Sequence, residues 1–97
     1  LKYSADARRQ IRDLIRHYEN LGRAEAARTL ANSLVAAERR IAANPADGLS
    51  APRPYPTLVR PGVAWIKAGR YWIAYRCTER PTILAVFYET ADIPGRL

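Results

Sequence analysis

Residues 69–77 read GRYWIAYRC, and residues 82–88 read TILAVFY. The first stretch alternates. Tyr71, Ile73, Tyr75 and Cys77 fall on one side of an extended chain, and Trp72, Ala74 and Arg76 fall on the other. The second stretch is apolar on both sides, which predicts a central strand buried on its two faces. Between them, Thr78-Glu79-Arg80-Pro81 breaks the pattern and makes a turn. Just upstream, Val63–Lys67 is a further β-prone run, and Ala68-Gly69 supplies a hairpin turn. The three runs predict an antiparallel meander. Glu89–Leu97 follows as a tail containing Pro94-Gly95.

Upstream of the meander the composition changes. Pro45, Pro52, Pro54 and Pro56, with Gly48 and Ser50, fill a segment that holds neither a helix nor a paired strand. It reads as a connector within one domain. Before it the apolar period becomes helical. Ala7, Ile11, Leu14, Ile15, Tyr18 and Leu21 recur at offsets of three and four, which lines one face of a helix. Ser4 is suited to cap that helix through its hydroxyl. Asp6 places negative charge near the positive end of the helix dipole, and Gly22 stops the helix. A second helix runs from Arg23–Ala24 to about Ala43, with Ala27, Leu30, Ala31, Leu34, Ala37 and Ile41 as its stripe. Asn44-Pro45 ends it, because the residue before proline is pushed out of helical space. The short link between the helices makes an antiparallel hairpin. Leu1–Tyr3 reads as the stub of a first strand, apparently truncated. The expected architecture is α+β: an N-terminal helical hairpin packed on an antiparallel β-sheet of three to four strands, in two layers.

The 97 residues make one domain, residues 1–97. Lys+Arg is 16 against nine Asp+Glu, a net charge of +7, and only Lys2 and Lys67 of the cations are lysine. Hydrophobic residues at 48% are too many for a disordered basic tail. One cysteine and one histidine exclude an intramolecular disulfide scaffold and a multi-ligand metal centre of those residues. No apolar run approaches the roughly 20 residues of a membrane span, and the start carries no signal-peptide pattern. A cytoplasmic protein without a membrane partner is expected, with no metal and no cofactor.

Charge is not spread evenly. At about 100° per residue, Arg8, Arg9, Arg12 and Arg16 project to one flank of the first helix, and Asp6, Asp13 and His17 to the other. Arginine makes forked bonds to carboxylates and phosphates. The flank is therefore a candidate docking strip for an acidic partner or for nucleic acid, set against the plainer reading of a solvated face. The remaining singled-out residues have plain structural readings. The Tyr71, Ile73 and Tyr75 stripe is expected in the core. Trp65 and Trp72 are expected to pack under the proline-rich loop, and Cys77 to be a small buried side chain. His17 should lie at the surface, and Glu38 should pair with an arginine.

The order of parts resembles the RelE/ParE superfamily of toxins from bacterial type II toxin–antitoxin modules. YSADARRQIRDLIRHY (3–18) is similar to the family's strand that runs into "S-x-x-A" and the first helix. ERRIAANPADG (38–48) resembles its "I-x-x-x-P-x-x-G" helix exit. GRYWIAYRC and TILAVFYETADI (82–93) resemble its "G-x-Y-x-I-x-Y" strand and its last strand. The resemblance covers nearly the whole chain. It implies a toxin held by an antitoxin whose acidic segment orders on binding, in a hetero-oligomer. ParE-like members poison DNA gyrase, whereas RelE-like members cut mRNA on the ribosome.

Cutting RNA through its 2′-hydroxyl needs a proton acceptor, a proton donor and cations that hold the phosphate. RelE-like toxins place Arg straight after the Tyr of "G-x-Y-R" and a further Arg or His just after the last strand. Here those positions hold Trp72 and Glu89. If the chain were a nuclease, Arg70, Arg76 and Tyr88 would be its catalytic candidates. No recognisable acid–base pair accompanies them. The resemblance, taken with these two positions, implies a ParE-like toxin that binds a DNA topoisomerase (gyrase) without chemistry of its own. Its antitoxin- or target-binding candidates are Arg8, Arg9, Arg12, Arg16 and Arg76. A RelE-type nuclease partnered by ribosome and mRNA, and a non-toxic interaction domain, are the alternatives.

Overall fold

The structure, a computed structural model, describes residues 1–96. Leu97, the end of the predicted tail, lies outside the described residues. The elements run β1 (Lys2–Tyr3), α1 (Ala5–Asn20), α2 (Ala24–Ala43), β2 (Val63–Ala68), β3 (Tyr71–Arg76), β4 (Thr82–Tyr88) and a terminal turn of helix, α3 (Ile93–Arg96). The four strands form one sheet in the order β1-β4-β3-β2, and the helical hairpin covers one face. This is the expected α+β arrangement. The sheet is mixed rather than purely antiparallel, because β1 runs parallel to β4, with Tyr3 beside Ile83.

Ser4 explains how β1 hands over to α1. Its backbone N–H donates to Ile83 O (2.9 Å), and its hydroxyl donates to Leu84 O (3.1 Å). The same hydroxyl accepts the Ala7 N–H at 3.0 Å, the capping role expected of it. Gly22 ends α1 with a positive φ of 68°, a conformation that costs glycine little. The β2–β3 turn is Gly69–Arg70 rather than Ala68-Gly69, since Ala68 still pairs with Tyr71. Gly69 has φ 58°, and a Cβ there would stand 2.6 Å from Ser33 Oγ on α2. The positive φ favours glycine in the turn, and any larger residue would also have to turn the Ser33 hydroxyl aside. Along β4 the register slips once, so that Ala74 faces Ala85 and Tyr75 faces Ile83, leaving Leu84 as the extra residue.

The alternation of β3 divides the interior into two cores. On the helix face Tyr18, Leu30, Ala37, Ile41, Ile66, Tyr71, Ile73, Tyr75, Ile83 and Val86 pack together. On the opposite face Trp65, Trp72, Ala74, Ala85, Phe87 and Ile93 form a second cluster. Tyr55 and Leu58 from the proline-rich region and Ala91 from the C-terminal segment cover it, which places Trp65 and Trp72 under that loop as expected.

Three expectations need correction. The proline-rich loop is not free of pairing. Pro45–Asp47 forms a 3-10 turn, and Leu49 exchanges two 2.7 Å hydrogen bonds with Trp65. Pro suits the first position of such a turn, and β2, as an edge strand, offers Leu49 its unpaired backbone groups. The C-terminal segment is not a mere tail, because Ile93 is fully buried in the second cluster. Cys77 is exposed rather than buried. The strand ends at Arg76, and Cys77 sits where the chain reverses. There its N–H donates to Gly62 O at 2.9 Å and its thiol to Pro45 O at 3.2 Å.

Candidate functional site

Two regions gather side chains that could meet a partner. The first is the flank of α1. Arg8, Arg9, Arg12 and Arg16 are all exposed, while Ala7 and Tyr18 turn inward. Arg8, Arg12 and Arg16 repeat every four residues and so stand in one row. Arg9 lies beside that row rather than in it, and its guanidinium is 3.0 Å from the Asp6 carboxylate one turn back. Such an exposed pair contributes at most about 1 kcal/mol, so Arg9 is readily recruited by another carboxylate.

The second region is an open groove of about 890 Å³ where the ends of both helices meet the end of the sheet. Gln10, Asp13, Leu14 and His17 of α1 form one wall, and Val86, Phe87 and Tyr88 of β4 the other. β1 pairs only with Thr82 and Ile83, so the outer edge of β4 further along lacks a neighbouring strand. Gln10 compensates: its side-chain oxygen accepts the Val86 N–H at 2.8 Å. Tyr18 and Tyr71 join their hydroxyls in a buried hydrogen bond at the floor. Tyr88 packs edge-on against Tyr71, with ring centroids 5.5 Å apart. Burial, and then the bond to Tyr18, hold Tyr71 well above the ordinary phenol range. Tyr71 is therefore a neutral structural hydroxyl and not a ready general acid. Arg23 and Arg70 bring positive charge to the rim.

The nuclease candidates do not form one site. Arg70, in the β2–β3 turn, reaches the Tyr88 hydroxyl at 3.4 Å. Arg76 lies at the opposite end of β3, about 20 Å away at the rise of an extended strand. Tyr88 packs with the helix-face core. Arg76 alternates with Trp72 and Ala74 onto the other face. Trp72, at the position where RelE-like sites carry Arg, is only 2% exposed. The Arg53 guanidinium sits 5.4 Å above its ring, and Lys67 Nζ lies 6.0 Å from it. Glu89, at the other such position, takes Lys67 at 3.0 Å and Arg70 at 3.6 Å.

The groove and the Lys67–Glu89–Arg70 cluster were not found by reading the sequence. They depend on register across three strands, which no spacing encodes. Lys67 faces Trp72 on β3, and Tyr71 faces Tyr88 beside Glu89. His17 is exposed, as expected, and lines the groove. Glu38 has no arginine within ion-pair distance among the described residues. It faces Tyr3 instead, whose pKa is raised by burial and then by that carboxylate.

Among the described residues no helix is long and apolar enough to cross a membrane. No three His, Cys, Asp or Glu side chains converge on a potential metal position among them. No curated protein matches the chain significantly. A family model described as the ParE toxin of the type II toxin–antitoxin system, parDE, matches residues 1–91. That span takes in β1 through β4, the proline-rich loop and the turn into the last helix. The chain belongs to the ParE toxin family of type II toxin–antitoxin systems.

Proposed function

We propose that this toxin acts by binding a protein target, DNA gyrase, and has no nuclease chemistry of its own. The observation that carries the reading is the state of the loop face. The position after Tyr71 is a tryptophan buried under Arg53 and Lys67, and Glu89 pairs with Lys67 and Arg70 beside it. A cleavage site needs a proton acceptor, a proton donor and free cations together on an open surface; around Trp72 the ring is capped by Arg53, and Lys67 and Arg70 are engaged by Glu89. The ParE family, as resembled in the sequence, supplies gyrase as the target.

Neutralisation follows from charge. The ParE family implies an antitoxin partner, and we assign its acidic segment to the exposed row Arg8, Arg12 and Arg16 with Arg9 beside it. Carboxylates meeting this row gain forked, charge-assisted bonds. Replacing Arg9, Arg12 and Arg16 together by Glu is expected to weaken the antitoxin complex while the circular dichroism spectrum stays unchanged. Unchanged affinity would leave the row a solvated face.

The direct test adds purified toxin to gyrase and relaxed plasmid. The expected result is dose-dependent loss of supercoiling, relieved by the cognate antitoxin. Full supercoiling at saturating toxin would overturn the gyrase assignment.

A further inference from the structure

The strand register gathers cations at the end of the sheet farthest from the groove. Lys2 pairs with Thr82, and Thr82 pairs with Arg76. Residues directly opposite one another project to the same face. Lys2, Thr82 and Arg76 therefore stand in one row on the loop face, next to Val63, which faces Arg76 from β2. Neighbouring strands lie about 4.8 Å apart, so the two cations flank the Thr82 side chain about 10 Å from each other. Arg80 belongs to the turn that leads into Thr82. Arg60 belongs to the turn whose Gly62 carbonyl receives the Cys77 N–H.

All four cations are exposed, and none is in an ion pair among the described residues. The contrast with the other end of the same face is sharp. There Lys67 and Arg70 share Glu89. Like charges left unpaired on a flat surface repel one another and gain most from a regular polyanion.

Two observations narrow the class of that polyanion. The groove, which offers apolar contacts to a bound peptide beside its charges, lies at the opposite end of the sheet. A single nucleic-acid strand gains affinity by stacking bases on exposed aromatic rings. Trp65, Trp72 and Phe87 are this face's aromatic strand residues, and all three are buried. What remains is backbone contact without base stacking. We propose that the Lys2–Thr82–Arg76 row, flanked by Arg60 and Arg80, contacts the phosphate backbone of duplex DNA. The contact is sequence-independent and does not require gyrase to be the toxin's protein target.

The test measures binding of the full chain to a labelled mixed-sequence duplex by fluorescence anisotropy, between low and moderate salt. Each neutralised phosphate contributes about 0.9 to the slope of log affinity against log salt. The triple variant Lys2→Gln, Arg76→Gln, Arg80→Gln is expected to flatten that slope by about 2–3 and to weaken low-salt binding at least about tenfold. The control Arg8→Gln, Arg12→Gln, Arg16→Gln removes the same charge from α1 and should keep affinity within about threefold of the parent. All six positions are exposed, so both variants should melt like the parent. Equal losses in the two variants would reduce the effect to net charge and overturn the proposal. So would a row variant that binds like the parent, a parent that fails to bind duplex at low salt, or a single strand of equal length that binds more tightly than the duplex.

Discussion

The helix face of the sheet buries Tyr18, Tyr71 and Tyr75 beneath two regular helices, whereas the loop face buries Trp65, Trp72 and Phe87 beneath coil and one short helical turn. On the helix face the cover is continuous, periodic and internally hydrogen-bonded. Its polar atoms are matched, as in the Tyr18–Tyr71 pair and the Tyr75 hydroxyl donating to Pro45 O at 2.6 Å. On the loop face the cover is irregular and held at few points. These are the Leu49–Trp65 bridge, the Tyr55 hydroxyl reaching Ala91 O at 3.4 Å, and Ile93. The Trp65 indole N–H has no protein partner there. The lesson is that a cover need not be regular to close a face. Large aromatic side chains supply enough apolar area for a proline-rich coil to dock.

Substitutions on each side probe how far this comparison holds. The largest effect is expected from Trp65→Ala, which should cost about 3–5 kcal/mol in urea unfolding. Leu30→Ala on the helix face should cost a similar 2–5 kcal/mol or so. A Trp65→Ala cost under about 1 kcal/mol would mean that the coil is not a working cover. Ile93→Ala is expected to cost about 2–4 kcal/mol. It should also make the proline-rich segment more sensitive to proteolysis while the helical signal at low denaturant is retained. Tyr18→Phe or Tyr71→Phe alone should each cost about 1–2 kcal/mol, by leaving one buried hydroxyl without its partner. The double variant should cost less than the sum, since neither hydroxyl then remains.

The smallest effect is a pH dependence. Tyr3, Tyr71 and Tyr75 all hold their protons more tightly in the folded chain, chiefly because they are buried. In the unfolded chain these phenols ionise near the ordinary value of 10.0. Above that pH the unfolded state binds fewer protons than the native state, so stability falls as pH rises. The contribution is complete below that pH and is lost as pH climbs toward the folded values. Melting curves across alkaline pH should show the fall, and Tyr71→Phe should make it shallower. A melting temperature indifferent to alkaline pH would place these phenols in contact with water.

Much of the helix face was legible in the sequence. Ser4 and Gly22 mark the limits of α1 through local hydrogen bonding and φ, which depend on neighbours alone. The alternation of β3 sorted its tyrosines from Trp72 for the same reason. The loop face was only partly legible. Leu49 pairs with Trp65 across the proline-rich segment, and Ile93 is buried although it follows an apparent tail. Neither follows a period, because irregular cover has none. Of the candidate binding residues, the exposed placement of Arg8, Arg12 and Arg16 was readable from helical geometry. The tie between Arg9 and Asp6, and the alignment of Arg76 with Lys2, emerged only with the fold.

The account rests on the loop face being closed to chemistry. The measurement that meets this claim most directly is primer extension on mRNA recovered from a reconstituted translation reaction supplied with the purified toxin. The account predicts full-length messenger at every toxin concentration, with ribosomes translating through. New ribosome-dependent 3′ ends, absent when ribosomes are omitted, would contradict it. They would show that cations outside the buried Trp72 position assemble a working nuclease.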